Sequence, residues 1–188
     1  MSQRVYRLFQ QSVEAKMQLG EQLAPHIELA SDIVVDSLLD EKKIIISGLG
    51  RSASIGQMLL ASLLDRYEKD RPGLPALWLG DGITEEMWQE EILAKPLRAL
   101  AQAGDILLVI SAKNNNTSLC AAIEVAHERD MTVIALTGQE HNDIRPLLSD
   151  RDVEINANLD SLARVHELHL LIVFCLCDLI DYKIFGIE

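Results

Sequence analysis

The chain has 188 residues, 48% of them hydrophobic and 24% charged, enough for one domain with a buried core and unlike a disordered tail, a collagen-like chain or a disulfide mini-protein. Seventeen Lys and Arg stand against 29 Asp and Glu, a net charge of −12. A surface that acidic argues against direct contact with nucleic-acid phosphates or anionic lipid, and is compatible with a basic protein partner or a local pocket for one small phosphate.

Val5, Leu8, Phe9, Val13 and Met17, then Ile27, Ala30, Ile33, Val34 and Leu38, recur at about 3.6 residues. They predict two amphipathic helices parted near Pro25. Residues 43–47 are a short β-branched run, a strand buried on both faces, which stops at Gly48-Leu49-Gly50. A helix over 52–67, a strand over 75–79 and a helix over 85–103 with a kink or break at Pro96 follow. Then come a strand over 105–110, a helix over 117–129, a strand over 131–136, a short helix over 144–148, a strand over 153–155 and a long closing helix over 161–185.

Strands alternating with helices predict a parallel sheet covered on both faces, a three-layer α/β/α sandwich with five strands and an N-terminal helical extension. The whole chain is then one domain: N-terminal helices over 1–40, a parallel α/β core over 41–160 and a closing helix over 161–188. The N-terminal residues are charged throughout and lack the apolar core of a signal peptide. The longest apolar run, Leu168 to Cys177, is interrupted by His169 and is too short for a bilayer. We therefore expect a cytoplasmic protein without a membrane partner. Its three cysteines, Cys120, Cys175 and Cys177, have no zinc or CxxC spacing and read as reduced thiols.

Ligands of such sheets bind at the C-terminal ends of the strands, so the strand-to-helix loops are the places to search. The first loop is Ser47-Gly48-Leu49-Gly50-Arg51-Ser52-Ala53-Ser54. Its glycines permit a sharp turn and close approach to a ligand, and Ser52 can cap a helix whose N-terminus favours an anion. It is neither a Walker motif nor a dinucleotide fingerprint, and a tight turn with a cap accounts for it equally well. The second loop, Ser111-Ala112-Lys113-Asn114-Asn115-Asn116-Thr117-Ser118, crowds hydroxyls and amides at a helix start and adds the charge of Lys113. It suits a phosphate or a row of sugar hydroxyls, or is a plain capped polar loop. The third, Thr137-Gly138-Gln139-Glu140-His141, carries less signal.

These two loops, at this separation, resemble those of the sugar isomerase (SIS) domain. Arg66-Tyr67 with Arg71-Pro72-Gly73-Leu74-Pro75, Ala103-Gly104-Asp105-Ile106-Leu107-Leu108, Ile134-Ala135-Leu136-Thr137-Gly138 and Cys175-Leu176-Cys177-Asp178 narrow the resemblance. Together they are similar to the bacterial phosphoheptose isomerases and to the related DnaA initiator-associating proteins, from about Arg4 to Phe185. The resemblance implies a flavodoxin-like sheet, a homotetramer with sites between subunits, and sugar-phosphate binding. Carried onto this chain it points to Gly48, Gly50, Arg51, Ser52, Arg66, Ser111, Lys113, Asn115 and Thr117 as phosphosugar-binding residues.

The sequence also departs from the isomerases. Their glycine loop, CGNGGS, is Ser47 to Ser52 here, with Leu49 for the asparagine and Arg51 for the last glycine. Their STSGNS loop has become Ser111 to Asn116, with Ala112 and Lys113 at two hydroxyl positions. Metal-binding members carry a His and a Glu on the helix after the first strand, and a Gln and a His on the closing helix. The matching positions are Met58, Ser62, His166 and Phe174, so no metal cofactor is expected. The segment from Gly80 to Trp88 is several residues shorter than in the family and places Glu85 and Glu86 near the site. His166, with Glu86 as partner, is the candidate for proton transfer in an isomerase with an altered site. His166 and His169, three apart, have no third metal ligand and are equally structural or surface residues. The apolar chain end offers Ile184 and Phe185 as partner contacts, or as packing on a neighbouring subunit. The sequence thus favours a non-catalytic adaptor of the replication initiator DnaA that acts without touching DNA. A phosphosugar isomerase, and a sugar-phosphate sensor without turnover, are the alternatives.

Overall fold

The computed structural model describes residues 2–80, 91–114 and 116–187. In chain order the elements are α1 (Ser2–Leu39), β1 (Ile44–Gly48), α2 (Arg51–Leu64), β2 (Ala76–Trp78), α3 (Glu91–Leu100), β3 (Ile106–Ile110), α4 (Thr117–Glu128), β4 (Thr132–Thr137), a 3-10 turn (Arg145–Leu147), β5 (Val153–Asn156) and α5 (Leu162–Phe185).

The strands form one parallel sheet in the order β2-β1-β3-β4-β5, paired Ile44 to Ile106, Ile106 to Thr132 and Ile134 to Val153. Side chains alternate across each strand, and the two faces have separate cores. Ile44, Ile46, Ile106, Leu108, Ile134, Leu136 and Ile155 pack under α1, α2 and α5. Ile45, Leu107, Val109, Val133 and Ala135 pack under α3 and α4. The expected three-layer sandwich is therefore present, with α1 as the N-terminal extension lying along α5.

One element differs from the sequence reading. α1 is a single helix that passes through Pro25. A proline inside a helix removes one backbone bond and costs about 3 kcal/mol. Leu19, Leu23, Ile27, Ala30 and Val34 stay on one buried stripe across it. Burial of those side chains offsets the local cost, and Pro25 itself sits on the exposed side. Pro96 likewise lies inside α3 without ending it.

The cysteines are free. Burial pushes the Cys177 thiol up to about 12, so it stays protonated at neutral pH. Among the described residues no helix is long and apolar enough to cross a membrane.

Candidate functional site

The strand order reverses between β1 and β3, the place where an open parallel sheet leaves a crevice at its C-terminal edge. The loops that leave β1 and β3 flank this crevice. Between them lies a cavity of about 420 Å³, lined by Leu49 to Ser52, Ser111 to Asn114, Asn116, and Leu162 and His166 of α5.

The first loop works differently from the expectation. Ser52 does not cap α2; the helix already starts at Arg51, and the capping position is Gly50 at φ 57°. That is left-handed backbone, where a glycine avoids the strain a side chain would suffer. Ser52 is instead the second helical residue and is only 2% exposed. It lines the cavity. Gly48 does not line the cavity. A Cβ there would sit 3.1 Å from the Ile110 carbonyl and 3.2 Å from the Ser52 backbone, so this glycine lets β1, β3 and α2 close on one another.

The second loop is folded on itself. The Ser111 hydroxyl donates to the Lys113 carbonyl at 2.7 Å, and the Asn116 amide donates to the same oxygen. Asn114 ties this loop to the third one by donating to the His141 carbonyl at 2.7 Å. Lys113 and Arg51 line the cavity and form no ion pair within the described residues. Two cations without an ion pair among the described residues thus stand in one crevice of a chain with net charge −12, beside the starts of α2 and α4.

His166 completes the wall. Its Nδ1 lies 2.6 Å from the Leu162 carbonyl. A carbonyl only accepts, so Nδ1 carries the hydrogen and Nε2 of the neutral ring keeps its lone pair. His169, one turn on, is fully buried and donates from Nε2 to the Thr137 carbonyl at 2.9 Å. Burial pushes it down to about 4, so it is a neutral strut between α5 and β4 rather than a partner for His166.

With this geometry in view, the chain can be set beside known proteins. The SIS domain family model matches residues 8–138. The chain belongs to the SIS-domain family. It is 43% identical to a phosphoheptose isomerase of Chromohalobacter salexigens, over 97% of this chain and 96% of the relative. It is 41% identical to the DnaA initiator-associating protein DiaA of Cronobacter sakazakii, over 98% and 97%. Among solved structures it is similar to a phosphoheptose isomerase from Francisella tularensis, with a TM-score of 0.91 and 35% identity over 96% of this chain and 98% of that one.

The structure brings together some of the residues carried over from the SIS-domain resemblance and separates others. Gly50, Arg51, Ser52, Ser111 and Lys113 line the crevice. Thr117 opens α4 exposed and is not among the lining residues. Arg66 lies beyond the end of α2, pairs with Asp70 at 2.5 Å and is also outside the crevice of its own chain. Asn115 and Glu86 fall outside the described residues, as does Glu85. Leu162, Asn114 and Asn116 are lining residues that the sequence did not single out. The polar run around Lys113 signalled the two asparagines, whereas Leu162 reaches the site only because α5 packs there.

The positions that hold metal in some SIS-domain relatives do not fit a zinc ion here. Met58 and His166 face a second hollow beside the first. Ser62 is hydrogen-bonded to the Cys177 thiol, and the Phe174 ring lies 5.8 Å from that of Tyr67. Only His166 offers a common zinc donor. No group of three His, Cys, Asp or Glu suited to a metal occurs among the described residues.

Ile184 and Phe185 are not the free apolar end that the sequence suggested. Both are half-buried against their own chain's core, and the Arg71 guanidinium stands 5.8 Å over the Phe185 ring. Arg71 is itself held by Asp181 at 2.7 Å and by the carbonyls of Leu63 and Ser62. The last turn of α5 is thereby pinned to the end of α2. The large exposed apolar surface lies elsewhere, on the first half of α1, where Val5, Tyr6, Phe9, Val13 and Met17 face solvent in the single chain.

Proposed function

We propose that this protein is a non-catalytic SIS-domain adaptor: a cytoplasmic homotetramer that binds the replication initiator DnaA and carries a phosphosugar-binding crevice without isomerase activity. The observation that carries this reading is the chemistry of the crevice wall. It keeps the anion-holding parts, Arg51, Ser52, Ser111 and Lys113, but its lining among the described residues holds one imidazole, that of His166, and no carboxylate. Moving a proton between neighbouring carbons takes a base and an acid at the same place. With Met58, Ser62 and Phe174 where relatives bind metal, no metal cofactor supplements it.

A relative at 41% identity is named for its association with the DnaA initiator, and the match spans nearly both chains. The net charge of −12 repels DNA, so an effect on replication runs through the initiator. α1 supports the tetramer. Leu19 and Leu23 face this chain's own core, whereas Val5, Tyr6, Phe9, Val13 and Met17 remain to be covered. A helix apolar on more than one side belongs in a bundle, here with other copies. Four copies multiply a weak contact with the initiator by raising its effective concentration. The partner-facing edge is the end of α5, around the outer parts of Ile184 and Phe185.

The second reading, a phosphoheptose isomerase, is favoured by one observation. The Nε2 lone pair of His166 is available in the crevice and can take a proton while Arg51 and Lys113 hold the phosphate. Glu86 would then be the acid. Purified protein incubated with sedoheptulose 7-phosphate, with and without zinc, distinguishes the two. We expect no turnover, and we expect DnaA to co-precipitate with the wild type but weakly with Phe185→Ala that keeps its circular dichroism. Robust turnover abolished by His166→Ala would replace the adaptor reading with the isomerase one.

A further inference from the structure

The anion crevice does not end at His166. Arg51 and His166 also line an adjoining hollow of about 370 Å³ between α2 and α5, whose other walls are Ser54, Ile55, Met58, Ala163, Glu167 and Leu170. Its one carboxylate is engaged through one oxygen: Glu167 Oε2 accepts from Ser12 at 2.6 Å and from Arg164 at 2.8 Å. Beside it the hollow offers a ligand an apolar wall of Ile55, Met58, Ala163 and Leu170. Met58 is 44% exposed, so a ligand there would cover thioether surface now open to water.

The two cavities differ in chemistry and share a boundary. The first has two cations without an ion pair among the described residues, and is lined by Ser52 and Ser111. The second is mostly apolar. Between them stands the His166 ring, whose Nε2 accepts a hydrogen bond and has no partner among the described residues. An amide N–H linking a hydroxyl-rich body to a small acyl group matches that acceptor, and the acyl methyl then lies against Met58.

We infer that the crevice selects a phosphorylated sugar bearing an N-acyl group, with the phosphate at Arg51, Ser52 and Lys113, the amide at His166 and the acyl methyl in the hollow beside Met58. This inference rests on the phosphosugar-binding part of the proposed function and names the ligand class.

Calorimetric titration of the full-length protein with inorganic phosphate, glucose 6-phosphate and N-acetylglucosamine 6-phosphate tests it, on the wild type and on Met58→Gln. A well-placed methyl and a satisfied hydrogen bond give at least about tenfold preference for the N-acetyl compound over glucose 6-phosphate. Met58→Gln, neutral and of similar size, should remove most of that preference and leave the glucose 6-phosphate affinity unchanged. Equal affinity for the two sugar phosphates overturns the inference while leaving phosphosugar binding in place. So does a preference that Met58→Gln leaves intact while sedimentation shows the tetramer weakened, which would assign the hollow to a neighbouring copy. Failure of all three compounds to bind overturns the phosphosugar reading itself, and the inference with it.

Discussion

The two edges of the sheet are built to opposite ends. At the edge where the strands begin, buried aspartates have their oxygens in use. Asp105, 0% exposed, accepts from the backbone N–H groups of Lys43 and Gln102 and from the Lys43 ammonium at 2.5 Å. Asp152 accepts from the N–H groups of Val133 and Ser149, the Ser149 hydroxyl and His127. Burial would raise the Asp152 carboxyl, but these bonds outweigh it and hold it below its ordinary range. At the edge where the strands end, Arg51 and Lys113 line the crevice and lack an ion pair among the described residues. Polar groups satisfied within the chain stabilise the fold; polar groups left unsatisfied are available to something else.

The comparison is broken most easily at the closed edge. Asp105→Ala strips the partner from Lys43 and leaves two backbone N–H groups uncovered. Loss of one member of a buried pair costs about 3–5 kcal/mol, and urea denaturation should show it.

A pH titration sharpens the contrast next. His169 holds α5 to β4 only as a neutral ring, and its folded value of about 4 lies below its ordinary 6.5. The unfolded chain takes up that proton first. The His169 contribution is therefore complete above pH 6.5 and is lost as pH falls toward 4, by about 3 kcal/mol. Asp152 acts lower, since a depressed carboxyl loses its contribution only below its ordinary range. His169→Gln, which can still donate to Thr137, should be flatter between pH 6.5 and 4 in stability-against-pH measurements.

At the open edge the effects fall on ligand rather than on stability. Arg51→Ala and Lys113→Ala should each weaken phosphate binding by about tenfold, roughly 1.4 kcal/mol, with the melting temperature unchanged. An equal loss of melting temperature would mean that these cations stabilise the fold after all. The smallest effect belongs to Arg98 and Glu128, an exposed pair 3.1 Å apart. Arg98→Ala should cost less than about 1 kcal/mol by thermal denaturation and less still at high salt.

The alternation of buried strands and helices was legible in the sequence because each period reflects one buried face, and the strand runs around Ile45 and Leu108 carry it strongly. Pro25 misled, since a local rule about proline says nothing of a stripe that keeps its burial on both sides of it. The crevice was legible in its loops, through Gly50, Arg51, Ser111 and Lys113. Its third wall was legible only in part: the family resemblance pointed to His166, whereas Leu162 carried no signal. Both lie about fifty residues beyond Lys113, and no local pattern states which helix turn will cover a strand end. Ser52 was read as a cap from its residue type, but the left-handed Gly50 moved the helix start forward and turned Ser52 into a buried lining group.

What the sequence determined by itself was the order of strands and helices, the acidic surface and the residues available at each loop, because these depend on composition and local period. What only the tertiary structure decided was which of those residues meet. The strand order β2-β1-β3-β4-β5 sets the first and second loops side by side, and α5 packing across them brings His166 and the apolar hollow beside Met58 into one cleft. The reason is physical: a loop's own residues set its shape, whereas its neighbours are set by burial of the helices and strands that carry it.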